Sequence, residues 1–256
     1  MKITFLGTGT SQGVPVIACQ CAICTSIDKK DNRLRSSVML EMQDKVFVID
    51  AGPDFRYQML REKVNQLDAI LFTHEHKDHV AGLDDIRAFN FKHDREIDLY
   101  AEKRVQQALK NEFSYIFSDL QYPGLPRVIL NDLTEDPINI QGVGVTPIRV
   151  MHYKLPVLGF RINDFTYITD AKTITAQEKE KIKGSKVLVL NALRKEEHLS
   201  HFTFEEAIDL ALELNCEQTY FTHISHQLGQ HAAVENELAK YNGKIALAFD
   251  GLSFSI

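Results

Sequence analysis

The segment His74-Glu-His76-Lys-Asp78-His79 places three histidines and an aspartate within six residues. An apolar run of strand character, Ala69-Ile-Leu-Phe-Thr73, leads into it. In an extended segment alternate side chains share a face, so His74 and His76 point the same way. Val80 to Ile86 reads as a turn into a helix, which swings Asp78 and His79 towards a neighbouring point. Two pairs of ligands suit two metal ions held close together better than a single ion. The plainer reading is a solvated polar loop, with Glu75 and Lys77 as surface residues. H-x-H-x-D-H is, however, far more specific than a lone histidine pair.

The elements that must position such a site recur in the second half. Val145 to Met151 leads to His152, Phe165 to Thr169 to Asp170, and Gln218 to Thr222 to His223. Each is a strand-like run with a metal-competent side chain at its C-terminal end, as Leu71-Phe-Thr73 is for His74. One such histidine alone would more often be structural; four strand ends of one kind point to a common centre. Ligands at the ends of strands on a rigid sheet are preorganised. Asp50, after the apolar strand Lys45 to Ile49, could orient a metal-bound histidine or cap the following helix.

A second cluster lies near the N-terminus. Ile3 to Leu6 reads as a strand ending in Gly7-Thr-Gly9-Thr-Ser-Gln-Gly13-Val-Pro15. A phosphate-cradling reading of this loop is weak, because Pro15 stands where a helix would begin and no lysine ends the loop. A loop that lets backbones pass closely is the better reading. Cys19, Cys21 and Cys24 follow, and three thiolates leave a tetrahedral zinc one ligand short. Cys216 and His226 are both candidates, at opposite ends of the strand Glu217 to Thr222 and so roughly 20 Å apart at ~3.3 Å per residue. If the strand ends that carry chemistry gather on one side, His226 is the fourth ligand and Cys216 is an ordinary buried thiol.

Elsewhere, Ser37 to Met42 and Lys45 to Ile49 read as a hairpin, Glu102 to Ile116 as a helix, and Gln121 to Pro137 as an irregular loop. Lys186 to Leu190 reads as a strand ending in Asn191. Thr203, with Glu206 three residues on, caps a helix just after His201. Ala232 to Tyr241 is a further helix and Ile245 to Phe249 a last strand. Two strand-rich halves with flanking helices predict an α/β fold over residues 1–256 as a single domain, a four-layer αββα sandwich of two mixed β-sheets flanked by helices. The 256 residues carry a formal net charge of -6, which argues against a nucleic-acid surface. No apolar run approaches the ~20 residues that span a bilayer. There is no charged leader with a long apolar core, so cytoplasm is the expected location.

Thr73-His74-x-His76-x-Asp78-His79, His152, Asp170 and His223 resemble, in order, the dinuclear motif of the metallo-β-lactamase superfamily. Leu6 to Pro15, the cysteine trio, Thr222-His223-Ile-Ser-His226-Gln227 and Phe249-Asp250-Gly251 resemble one subgroup, the cyclic-phosphate phosphodiesterases of the phosphonate carbon–phosphorus lyase pathway. Those enzymes open 5-phosphoribosyl 1,2-cyclic phosphate. The resemblance implies that His74, His76 and His152 hold one metal, manganese or zinc, and that Asp78, His79 and His223 hold the other, with Asp170 bridging. It implies a structural zinc on Cys19, Cys21, Cys24 and His226, and a catalytic role for His201, whose loop also holds His198. Asn191 departs from the acid expected there. The implied chemistry is attack on phosphorus by a hydroxide shared between two ions about 3.5–4 Å apart. His201 would protonate the leaving oxygen or steady the phosphoryl group. Arg33, Arg35 and Arg56 are candidates for a remote phosphate, although solvated arginines are the commoner case. The implied partner is a small phosphorylated substrate, with a homodimer usual among such relatives. The rival readings are a tRNA 3′-processing endoribonuclease, a thioester or lactam hydrolase, and a non-catalytic metal-binding scaffold.

Overall fold

Along β1 (Lys2–Gly7), Ile3 and Phe5 face one side and Leu6 the other, the two-residue period of a pleated strand. The computed structural model, which describes residues 1–118 and 122–256, repeats that split throughout. β2 (Ser37–Met42), β3 (Lys45–Ile49), β4 (Ala69–Leu71), β5 (Ile97–Ala101) and β6 (Val128–Asp132) extend one mixed sheet from β1. The second mixed sheet has the order β11-β8-β9-β10-β12-β13-β14. Its strands are β7 (Ile138–Ile140), which pairs with β8, then β8 (Val143–His152), β9 (Leu155–Ile162), β10 (Phe165–Tyr167), β11 (Thr173–Ile174), β12 (Val187–Asn191), β13 (Gln218–Thr222) and β14 (Ile245–Leu247). β15 (Ser253–Ser255) returns to pair with β1.

Three buried clusters make the layers. Between the sheets, Phe5, Phe47 and Ile49 meet Phe160, Phe165 and Val189. Outside the first sheet, Val48 and Ile70 pack under α1 (Phe55–Arg61), α2 (Lys77–Val80), α3 (Arg87–His93) and α4 (Lys103–Glu112) through Phe55, Val80, Phe89 and Val105. Outside the second, Leu188 and Leu190 pack under α5 (Ala176–Ile182), α6 (Phe204–Leu214) and α7 (His231–Leu238). The result is the expected four-layer αββα sandwich. Truncating Phe160, fully buried between the sheets, would cost about 3–5 kcal/mol.

Several elements differ from the sequence reading. Within the loop expected over 121–137, Gln121 lies outside the described residues, and Val128–Asp132 is an edge strand parallel to β5. Pro123, Pro126 and Pro137 bracket that strand and leave its ladder intact. β9 was not expected, because Pro156 and Gly159 blur its alternation; yet it pairs with β8 from Leu155 to Ile162. The short polar helix α5 and the strand β15 were not expected either. The strand ending at Phe249 stops at Leu247, and the helix to Tyr241 ends as a 3-10 turn.

The glycine loop does let backbones pass closely. A Cβ on Gly7 would lie 1.9 Å from the Arg35 carbonyl oxygen. Gly9 N–H donates to Leu34 and Thr10 N–H to Ile224, so the loop braces the segment that follows His223. No described helix is long and apolar enough to cross a membrane.

Candidate active site

β4 ends two residues before Thr73, and His74 and His76 follow on extended chain with ring centroids 4.5 Å apart. α2 then turns Asp78 and His79 inward. Its seat depends on Gly52, where a Cβ would lie 2.0 Å from the Asp78 carbonyl oxygen. His152 ends β8 and His223 follows β13 directly, while Asp170 lies three residues past β10. Asp50, Asp170 and His223 all take left-handed backbone, with φ of 64°, 53° and 56°. For residues with a Cβ this is strained, and such strain collects at functional sites.

The predicted residues converge. His79 Nε2 lies 3.1 Å from Asp78 Oδ2 and 3.2 Å from Asp170 Oδ2. His223 Nε2 lies 3.3 Å from Asp170 Oδ1 and 3.6 Å from Asp78 Oδ2. The rings of His76 and His152 are 5.3 Å apart, and those of His74 and His152 5.9 Å. Asp170 also reaches towards the other flank, where its carboxylate clusters with His152 and His201; His74 and His76 join neither of these tight sets. His74, His79, Asp170 and His223 are buried, whereas His76 is exposed and His152 half-buried. The site therefore opens on the His76/His152 flank.

Hydrogen bonds fix which ring nitrogen faces the centre. His74 Nδ1 meets Thr73 Oγ1 at 3.0 Å, His79 Nδ1 donates to Asp50 Oδ2 at 2.7 Å, and His152 Nδ1 donates to the Ser200 carbonyl at 2.9 Å. The Nε2 atoms of His74, His79 and His223 are buried without a hydrogen-bond partner among the described residues. Buried polar atoms left unpaired are costly. Three imidazoles and two carboxylates aimed at shared points are the donor set a divalent cation needs. The electrostatics agree. Burial pushes the His79 imidazolium down, but Asp78, Asp170 and Asp50 more than reverse this and hold its pKa well above the usual value. Burial raises Asp170, yet His223 and His79 hold it well below the carboxylate range. A proton on His79 answers the same negative field that would draw a metal ion.

His201 is buried, with Nε2 3.8 Å from Asp170 Oδ1. Burial, then His223, pushes its pKa down to about 2, so the imidazole is neutral near pH 7. His198 stacks on its outer side, with centroids 5.0 Å apart. Of the two histidines, His201 is the one beside the carboxylate.

Asp50 turns out to be the partner of His79, and it also accepts from Thr73 N and Oγ1 at 2.8 Å each. Asn191 clamps the loop after Asp170: its Oδ1 accepts from Ala171 N and its Nδ2 donates to Ala171 O. An acid could make only the first of these bonds. Glu75 is not a solvated surface residue, because it pairs with Arg104, which also donates to the Pro156 carbonyl. Arg33 is neither a phosphate ligand nor solvated. It is 4% exposed and donates to Thr8 Oγ1, the Ala248 carbonyl and His231 Nδ1. Arg35 pairs with Asp54, and Arg56 is exposed.

The sequence reading missed the threonines. Thr73, Thr169 and Thr222 each precede a site residue and are fully buried. Thr169 Oγ1 donates to Asp170 Oδ2 at 2.7 Å. The signal lay in the repeated Thr-His, Thr-Asp and Thr-His steps at strand ends.

Cys19, Cys21 and Cys24 each place Sγ 3.4 Å from His226 Nδ1. Tetrahedral zinc with Zn–S of ~2.3 Å and Zn–N of ~2.05 Å requires about 3.5 Å between such atoms. The backbone N–H of Cys24, then His226, pulls the Cys21 thiol down to about 6, towards the thiolate that metals bind. Cys216 is buried in the second sheet's outer core.

Residues 45–224 match the model of the beta-lactamase superfamily domain. Over 255 residues the chain is 38% identical to an octanoyltransferase of Porphyromonas gingivalis, covering 98% of this chain and 51% of that protein. A ribonuclease Z of an Exiguobacterium species is 26% identical over 167 residues, 64% of this chain and 49% of the enzyme. The chain thus spans about half the length of the curated relatives it matches. The crystal structure of a new diphosphatase from the PhnP family is similar with a TM-score of 0.92 and 37% identity, covering 100% of this chain and 97% of that one.

Proposed function

Because the chain belongs to the beta-lactamase superfamily, whose fold binds divalent metals, we propose that it is a metal-dependent phosphodiesterase. Its substrate would be a small cyclic phosphate ester such as 5-phosphoribosyl 1,2-cyclic phosphate. The observation that carries this reading is His79 and His223 turned onto Asp170 at 3.2–3.3 Å and onto Asp78 at 3.1–3.6 Å, with no hydrogen-bond partner for the two Nε2 atoms among the described residues. Whole-chain similarity to a PhnP-family diphosphatase supports the phosphorus chemistry.

In this reading Asp78, His79 and His223 hold one ion, His74, His76 and His152 a second, and Asp170 faces both. Ions bound there would activate water and neutralise charge on the phosphoryl oxygens. The chain's own groups do the rest. Asp50, Thr73 and the Ser200 carbonyl keep the histidine Nε2 atoms aimed inward. Neutral His201 donates an N–H hydrogen bond to the phosphoryl or leaving oxygen, which fits its low pKa better than proton transfer from an imidazolium. The buried floor of His74, His79 and His223 excludes bulk water, and substrate enters at exposed His76.

Octanoyl transfer is the second reading, favoured by the 38% identity over nearly the whole chain. Acyl transfer through a thioester needs a free thiol at the site. The four thiols of this chain lie in the His226 cluster and the core. Assays with defined manganese and zinc against cyclic phosphates, diphosphates, nucleotide diesters, tRNA precursors and octanoyl thioesters separate these readings. Turnover of a small cyclic phosphate, abolished by Asp170→Ala, is the expected result. Acyl turnover alone, or full activity in Asp170→Ala with unchanged metal content, would overturn it.

A further inference from the structure

A shallow, open depression of about 490 Å³ lies on the exposed flank of the site, lined by residues that include His76, His152, Tyr153, Lys154, Leu155 and Leu199. The hairpin tip that forms one wall is unusual in sequence and in conformation. Tyr153 and Lys154 are the two-residue turn between β8 and β9, with His152 paired to Leu155 across it. Tyr153 has φ of 56°. Such turns favour Gly, Asn or Asp where φ is positive, and a bulky ring there is strained. The tyrosine therefore does nothing for the turn. Tyr153 is 50% exposed, and Leu199 is 66% exposed on the depression's rim. Lys154 Nζ makes no ion pair among the described residues and lies 5.3 Å from the Tyr153 ring centroid. It is thus an uncommitted cation, two residues from His152, on a chain of net charge -6.

We infer that this turn is the subsite for the distal half of a phosphorylated sugar, with Tyr153 and Leu199 flanking the sugar's apolar edge and Lys154 receiving its remote phosphate. The inference rests on the phosphodiesterase reading and deepens it. Strain at a site entrance, an exposed aromatic and an unpaired cation converge on one small anionic ligand. Of the sequence's three candidates for that phosphate, Arg33 is sealed in the core, Arg35 is paired with Asp54, and neither they nor Arg56 line this depression, whereas Lys154 does.

Calorimetric titration of the metal-loaded chain with ribose 5-phosphate and with ribose tests this directly. The wild type is expected to bind ribose 5-phosphate at least about tenfold more tightly, the worth of one charge-assisted hydrogen bond. Lys154→Met should remove that preference. Tyr153→Asn, which suits left-handed backbone, should weaken both ligands several-fold while the melting temperature holds or rises. Equal binding of the two ligands by the wild type, a preference that survives Lys154→Met, or unchanged affinities in Tyr153→Asn would overturn the inference. Because the readout is binding, it separates from the substrate panel. A preference lost in Lys154→Met without phosphodiester turnover supports the subsite and sinks only the reaction.

Discussion

Asp50 Oδ2 and His79 Nδ1 meet at 2.7 Å, both with fully buried side chains. This contact commits Nδ1 of His79 and leaves Nε2 for the centre. Partners of this kind typically set metal affinity by 10–100-fold. Asp50→Ala should lower the affinity of the Asp78/His79/His223 group by about that factor, measured by competition with a chromogenic chelator. Wild-type affinity in a folded variant would show that other contacts hold the ring.

The Cys19/Cys21/Cys24/His226 cluster should hold zinc independently of the active-site group. Cys21→Ser is expected to lower zinc content by one ion per chain, read by elemental analysis, and to lower the melting temperature. The loop of His226 is braced against Thr8 and Thr10 through Ile224, so loss of the cluster should also reduce turnover. Unchanged zinc content would remove the assignment.

Thr203 and Glu206 form a reciprocal capping box at the start of α6, two residues from His201. Thr203→Ala should cost about 1 kcal/mol, seen as a shift of denaturant midpoint at constant slope. If the cap also steadies the His201 loop, turnover falls more than stability alone explains. Thr203→Ser should restore both.

His231 gives a pH dependence with a definite sign. Burial, then Arg33 and Lys30, pushes its pKa down to about 4. In the unfolded chain it titrates near ~6.5, so below that the unfolded state binds the extra proton. The His231 contribution is complete above about pH 6.5 and is lost as pH falls towards 4, on the order of 3 kcal/mol in all. The metal-loaded wild type should therefore lose stability over this window faster than His231→Gln. Parallel curves for the two proteins would contradict the assignment.

How much of this was legible in the chain depended on how local each feature is. The ligand types and their place at strand ends were readable, because a strand's period and a tight His/Asp spacing are properties of neighbouring residues. The choice of His226 over Cys216 followed from strand length together with the expectation that chemistry-bearing strand ends gather on one side. β9 was not legible: Pro156 and Gly159 weaken its pattern, and only the ladder with β8 makes it a strand. Arg33 and Glu75 read as solvent-facing because charge usually is; their partners, His231 and Arg104, are 198 and 29 residues away in sequence.

Local pattern in the chain was enough to give the four-layer fold class and to name the candidate ligands. It took the folded chain to show which nitrogen of His74, His79 and His152 faces the centre, that His201 rather than His198 lies beside Asp170, and that the site opens at Tyr153 and Lys154. These depend on burial and on hydrogen bonds between segments far apart in the chain, which no local spacing can encode.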